Sequence, residues 1–113
     1  MGNRILIETE SDSLYLDNNL IHAVAGKEEY IYDLSEVKKI VILTTNQGPL
    51  CDDMALAVDV GGNNVIFIMS GHRGFDEFLF NQIGKRISLD YQKIIEASSC
   101  VENEAFEIYR SAN

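Results

Sequence analysis

The chain has 113 residues and a formal net charge of −9, with 46% hydrophobic and 24% charged residues. This length is enough for one domain with its own core, so we expect a single domain over residues 1–113. The composition is that of a globular protein and excludes a disordered chain. The negative charge argues against binding to nucleic acid or to an anionic membrane, because both depend on Lys and Arg.

The cysteines and the chain's hydropathy pattern indicate the compartment. Cys51 and Cys100 do not form a disulfide framework, and the two histidines add no zinc-ligand spacing. The first residues contain no apolar stretch of signal-peptide length, and no run reaches the length of a membrane span. We therefore expect a cytoplasmic protein without a metal or another cofactor.

The acidic charge is concentrated in the first half of the chain. Residues 1–60 carry eleven acidic and four basic side chains (−7), whereas residues 61–113 carry seven and five (−2). An acidic half fits a basic protein partner. Negative charge also keeps a protein in solution without any partner, so both interpretations stay open.

Hydrophobic alternation and turn residues predict seven strands in chain order. They cover residues 4–9, 13–17, 20–25, 29–33, 39–45, 54–60 and 65–69. The clearest feature is the hairpin of the last two, because the Gly61-Gly-Asn-Asn64 segment between them tolerates positive φ angles. Residues 34–38 are expected to bend the chain into the next strand rather than to form a helical turn.

The periodicity changes to that of helices after Ser70. Apolar residues recur at helical spacing over residues 75–83, and Gly84 is placed to end this helix. A second helix is predicted from Asp90, which is a suitable N-cap. Residues 104–109 alternate as a last strand would.

Short connections between consecutive strands favour an antiparallel meander. Seven such strands followed by a helix resemble the pleckstrin-homology-like domain over residues 4–84. This resemblance implies an α+β fold, with an antiparallel seven-stranded sheet or partial barrel capped by C-terminal helices.

A second pattern covers residues 52–110. It contains Asp52-Asp53, Gly71-x-x-Gly-Phe-Asp-Glu77, Ile94-Ile-Glu-Ala97, Asn103 and the residues from Phe106 to Arg110. Together these segments resemble a group of small, functionally uncharacterised bacterial proteins, although Tyr109 stands where that group has Trp. The resemblance implies a bacterial source and transfers no catalytic residue.

Most residues that could perform chemistry flank the predicted hairpin. Cys51 and His72 would form an activated nucleophile if the two loops met. Asp52, Asp53, Asp76 and Glu77 would provide oxygen ligands for a hard cation. Neither set has a known local signature, and we favour structural roles, because edge charges, helix capping and a local ion pair of Arg73 explain these residues adequately.

The residues retained as candidates for partner binding or for a site are Asp52, Asp53, His72, Arg73 and Asp76. No catalytic residue and no metal ligand is assigned. The favoured hypothesis is a non-enzymatic protein-binding module of the bacterial cytosol, of an immunity or inhibitor type, whose acidic half binds a basic partner. The alternative is a small enzyme or metal-dependent site at the loops flanking the hairpin.

The sequence also bears on lipid binding and on dimer formation. Binding of lipid head groups is disfavoured, because the first hairpin loop, residues 9–13, is acidic where a lipid-binding domain presents bases. A homodimer through a sheet edge or through the helix face at residues 75–80 is compatible with the sequence.

Overall fold

The computed structural model describes residues 2–44, 54–99 and 102–111. Within these ranges the chain forms strands β1 (Arg4–Ile7), β2 (Ser13–Asp17), β3 (Leu20–Ala25), β4 (Glu28–Asp33), β5 (Lys39–Thr44), β6 (Met54–Asp59), β7 (Val65–Met69) and β8 (Glu104–Arg110). Its helical elements are a 3₁₀ turn at Leu34–Glu36, a π-helical turn at Glu77–Gln82, a 3₁₀ turn at Ile83–Lys85 and helix α1 (Tyr91–Ser99).

The strands form two sheets. A five-stranded sheet has the order β1-β7-β6-β5-β8, and a three-stranded sheet has the order β2-β3-β4. The three-stranded sheet is antiparallel, whereas the five-stranded sheet is mixed because β1 runs parallel to β7. The α+β class is therefore confirmed, and the prediction of one antiparallel seven-stranded sheet is wrong.

Local contacts explain why consecutive strands do not all pair. After β1, the Asp12 carboxylate accepts hydrogen bonds from the N–H groups of Glu8 and Thr9, which closes the loop and turns the chain away from a hairpin. After β4, Asp33 and Glu36 form a reciprocal capping box around the 3₁₀ turn. The expectation that residues 34–38 only bend the chain is thus wrong, since part of this segment is helical. At both places the chain crosses from one sheet to the other.

The predicted turns within each sheet are confirmed. Strands β6 and β7 form an antiparallel hairpin, in which Gly61, Gly62 and Asn63 have φ angles of 83°, 61° and 64°. The β2–β3 and β3–β4 turns contain Asn18 and Gly26 at φ of 56° and 65°. Asn and Gly adopt this left-handed conformation at the lowest cost, which is why turn residues identified these hairpins correctly.

One hydrophobic core lies between the inner faces of the two sheets. Strands of both sheets contribute fully buried side chains, among them Ile21, Ile42, Leu56 and Ile66. The apolar residues that recur at helical spacing after Ser70 also belong to this core: Phe75, Phe78, Leu79 and Ile83. Helix α1 closes the core with Ile94 and Ala97.

The C-terminal elements follow the prediction in part. Asp90 caps α1, because its Oδ1 accepts from the N–H of Lys93 at 3.2 Å, and β8 forms as predicted. The first helix differs, since its central turn is π-helical and Gly84 lies inside the following 3₁₀ turn instead of ending the helix. No helix in the described ranges has the length and apolar character that crossing a bilayer requires.

Candidate functional site

The loops that flank the β6–β7 hairpin are described on one side only. Cys51, Asp52 and Asp53 lie outside the described residues, so their predicted meeting with His72 stays a prediction. On the other side, residues 70–74 connect β7 to the helical turns. These residues contact the β1–β2 loop, residues 8–12, which is far away in sequence.

His72 joins the two loops through both nitrogens of its ring. The N–H of Gly74 donates to Nδ1 at 3.0 Å, and Nε2 lies 2.8 Å from the carbonyl oxygen of Thr9. A backbone N–H can only donate, so Nδ1 is the acceptor and Nε2 carries the hydrogen that it donates to Thr9. Both nitrogens of the imidazole are therefore engaged, and neither has a free lone pair to activate a thiol in this conformation.

Arg73 makes a second connection to the same loop. Its Nε and Nη2 donate to the carbonyl oxygen of Glu10 at 3.2 and 2.8 Å. The sequence suggested a local ion pair with the following acids. Within the described residues no carboxylate forms an ion pair with Arg73, and its guanidinium instead binds the backbone of a neighbouring loop.

Asp12 organises the loop that His72 and Arg73 contact. Asp12 is 5% exposed, and its carboxyl group accepts from the N–H groups of Glu8, Thr9 and Gly26 at 2.8 to 2.9 Å. The hydrogen bonds from Gly26, Thr9 and Glu8 stabilise the carboxylate and hold the pKa of Asp12 far below its usual range. The sequence placed Asp12 in a turn but gave no sign that its side chain joins two turns.

The helical turns cover the free edge of β2. The side-chain oxygen of Gln82 accepts from the N–H of Leu16 at 2.7 Å. Arg86 donates through Nη1 to the carbonyl oxygen of Asn18 at 2.9 Å and through Nη2 to the side chain of Asn19. An edge strand presents unpaired N–H and C=O groups, and these contacts satisfy part of that edge.

Of the four acidic side chains predicted as cation ligands, only Asp76 and Glu77 lie within the described residues. Asp76 is exposed and makes no side-chain capping hydrogen bond. The carboxylate of Glu77 accepts from the side-chain amides of Asn81 and Gln82. In the part of the chain that the structure describes, no group of three or more His, Cys, Asp or Glu side chains could hold a metal ion.

A shallow pocket of about 480 Å³ lies beside the two joined loops. It is lined by Glu8, Glu10, Met69, Gly71, His72 and Arg73. Its histidine and arginine already bind backbone groups, and its two carboxylates are exposed. We assign it no chemistry, because its polar groups that point inward serve the fold.

The outer face of the three-stranded sheet has a different character, and we call it the acidic face. Its central row crosses all three strands from Tyr15 through His22 to Ile31. The rings of Tyr15 and His22 stack with centroids 4.7 Å apart and planes at 4°. Tyr15 is 37% and Ile31 52% exposed, so large apolar groups stand in solvent at the centre of this face.

Carboxylates surround this row. Asp17 and Asp33 flank Leu20 in the next cross-strand row, and Glu29 lies 3.3 Å from Nδ1 of His22. The N–H of Ser35 donates to the side chain of Asp33 and holds the pKa of that carboxyl below its usual value. The alternation of β2, β3 and β4 places no Lys or Arg on this face.

The residue counts show that the first half of the chain is acidic, but they do not show which surface carries the acidic side chains. Of the tyrosines on this sheet, Tyr30 and Tyr32 pack against the core, whereas Tyr15 faces outward. Successive side chains of a strand point to opposite faces of the sheet. Once the register of the strands is known, this alternation assigns Tyr15 to the outer face and Tyr30 and Tyr32 to the inner face.

Comparison with protein-family models, with curated proteins and with solved structures finds no match. The two resemblances drawn from the sequence therefore stay predictions.

Proposed function

We propose that this chain is a non-enzymatic protein-binding module of the bacterial cytosol, which binds a basic protein partner through its acidic face. The observation that carries the proposal is the row of Tyr15, His22 and Ile31, in which Tyr15 and Ile31 are exposed, within a set of carboxylates. An immunity or inhibitor role is the form of this function in which a small acidic protein covers the basic working surface of another protein.

The centre of the acidic face supplies the contact area expected of an interface core. Aromatic side chains are enriched at interfaces, and Tyr is among the residues whose truncation costs most binding energy. The stack with His22 holds the Tyr15 ring in place before binding, so less side-chain entropy is lost when a partner arrives. An arginine of the partner would also fit over the face of this ring.

The surrounding carboxylates determine the sign of the charge that the partner's surface must carry. Asp17, Glu29 and Asp33 attract Arg and Lys, and Arg binds a carboxylate through two parallel hydrogen bonds. Charges at the rim of an interface mainly speed association and exclude like-charged proteins. A basic protein surface is therefore the ligand that matches both parts of the face.

The test begins with affinity purification of the tagged chain from its native host, followed by measurement of binding to the purified partner. We expect the partner to be basic and its affinity to fall as salt rises. Tyr15→Ala should weaken binding roughly tenfold or more. Asp17→Lys should slow association, whereas Glu96→Lys, which changes the net charge equally on helix α1, should leave it nearly unchanged.

An acidic partner would contradict this proposal. So would a basic partner whose affinity is the same for wild type, Tyr15→Ala and Asp17→Lys, because binding would then occur elsewhere on the chain. Circular dichroism of each variant separates loss of binding from loss of folding.

A further inference from the structure

The five-stranded sheet also has an outer face, and no described element packs on it. Helix α1 lies on the inner side, since its Ile94 and Ala97 belong to the common core. The outward side chains of β5, Val41 and Leu43, are absent from the apolar residues that pack against that core. Both are half-buried.

This outer face is apolar over most of its width. Its middle cross-strand row runs through Leu6, Phe67, Ala57 and Val41 before reaching Glu107 on β8. Four of these five neighbouring positions are therefore apolar. Leu6 is 44% exposed, which is high for a leucine in a strand.

The next row continues the apolar surface. It runs from Met69 through Ala55 and Leu43 to Ala105 and contains no charged side chain. Met69 is 40% exposed. Large contiguous apolar surfaces on a folded protein mark places where another molecule binds.

The shape of the face is complementary to itself. Strand β6 presents only alanine at its apolar outward positions, Ala55 and Ala57, so β6 forms a trough between taller neighbouring side chains. Strand β7 beside it presents the large side chains of Phe67 and Met69, which form a ridge. A ridge next to a trough of matching length lets two copies of one surface interlock about a two-fold axis.

We propose that this face is the interface of a symmetric dimer of the chain. A two-fold axis parallel to the strands, between β6 and β7, places the ridge of each copy in the trough of the other. The same axis sets β1 over β5, so that Leu6 meets Val41 of the second copy. The two sheets then lie about 10 Å apart, as in a β-sandwich.

The charged residues of the sheet stay at the rim of this dimer. Arg4, Asp59 and Lys39 occupy the end row, from which long side chains reach water. Strand β8 lies beyond the overlap, and its Glu107 and Arg110 are already paired at 2.6 Å. No unpaired charge is therefore buried at the centre.

The area is at the lower limit for a specific dimer. The four overlapping strands have eleven outward residues, two on β1 and three on each of β5, β6 and β7. They cover roughly 1,000 Å² in total over both copies, from the spacing of strands and residues. Specific interfaces start at about this size. We therefore expect a dimer that dissociates at micromolar concentration, and the acidic face on the other sheet remains free.

Sedimentation equilibrium of the full chain from about 1 to 500 µM tests the proposal. Wild type should pass from monomer to dimer as the concentration rises. Ala57→Arg fills the trough and should leave a monomer, and Met69→Arg, at an already exposed position, should weaken the dimer at least tenfold. Ile31→Arg, the same chemistry on the acidic face, should dimerise as wild type does.

Methyl NMR of wild type adds a measurement that needs no variant. On dilution, the methyl signals of Leu6, Val41 and Leu43 should shift together, and those of Ile31 should stay constant. A chain that remains monomeric throughout the range would overturn the proposal. Masses that grow beyond two copies, or dimerisation lost in Ile31→Arg but kept in Ala57→Arg, would overturn it as well.

Discussion

The imidazole of His72 donates a hydrogen bond to the carbonyl oxygen of Thr9 across 2.8 Å, although the two residues are 63 positions apart. This contact joins the loop after β7 to the loop after β1, at the point where β1 and β7 run parallel. Parallel neighbours have no turn of their own to hold them in register. A side chain that reaches from one loop to the other performs that task.

His72→Ala removes this hydrogen bond and the acceptor for the Gly74 N–H. Each bond of this kind contributes about 0.5–1.5 kcal/mol, so we expect the free energy of unfolding to fall by about 1–2 kcal/mol. Urea denaturation measures the loss. Amide exchange of Gly74 should also become faster, while amides of β3 keep their protection. Unchanged exchange at Gly74 would show that Nδ1 does not accept its hydrogen bond.

Asp12 makes stability dependent on pH in the acid range. Its pKa in the folded chain is lowered, so its contribution is present above the ordinary value of about 3.8 and is lost as the pH falls through the lowered value. We expect the Tm of wild type to fall steeply below about pH 4. Asp12→Asn should lower the Tm at pH 7 by about 5 °C or more, because an amide cannot accept all three N–H groups. Its Tm should then change less on acidification.

Asp17→Asn is the matched control for this experiment, since it alters the net charge equally at an exposed position. The two variants should differ both in Tm at pH 7 and in the slope below pH 4. Equal curves for both would assign the effect to net charge instead of to the three hydrogen bonds of Asp12.

The strands were predictable because their signals are local. The bounds of β2, β3 and β7 follow directly from alternation or a continuous apolar run and from Asn or Gly in the adjoining turns. The partner of β1 was not predictable in this way. Arg4 pairs with Val65, and this register buries Ile5 and Ile7 beside Ile66 and Ile68. Any other apolar strand would bury these two isoleucines as well, so the sequence does not specify β7 as the partner.

The candidate site was predictable only in its chemistry. Charge counting identified the acidic half of the chain, but the acidic face depends on which strands pair. His22 illustrates this, since its stack with Tyr15 and its contact with Glu29 both arise from the register of β3 with its two neighbours. The sequence predicted His72 and Arg73 as candidate site residues, whereas in the structure they bind backbone groups of another loop.

The hydrogen bond between the Gln82 side chain and the edge of β2 gives a third prediction. Gln82→Ala leaves the N–H of Leu16 without the oxygen that accepts it, and Leu16 is half-buried against the core. An unsatisfied donor at such a place costs about 1 kcal/mol or more in the free energy of unfolding. Asn81→Ala, one position earlier and exposed, should cost no more than about 0.5 kcal/mol. Chemical denaturation of both variants compares them, and equal losses would show that Gln82 does not satisfy the edge of β2.

Gly84 gives the last prediction, because the structure requires glycine there for a reason that differs from helix termination. A Cβ at this position would overlap the carbonyl oxygen of Leu79 and would come within 3.0 Å of the Tyr91 hydroxyl. Backbone cannot move aside as a flexible side chain can, so Gly84→Ala should lower the free energy of unfolding by about 1–3 kcal/mol. Gly26→Asn is the control, since Asn tolerates its φ of 65°, no atom lies within 4 Å of its Cβ, and the N–H to Asp12 is retained. Thermal unfolding should show a clear loss for Gly84→Ala and little change for Gly26→Asn, and a stable Gly84→Ala variant would mean that the turn at Ile83–Lys85 has room for a side chain.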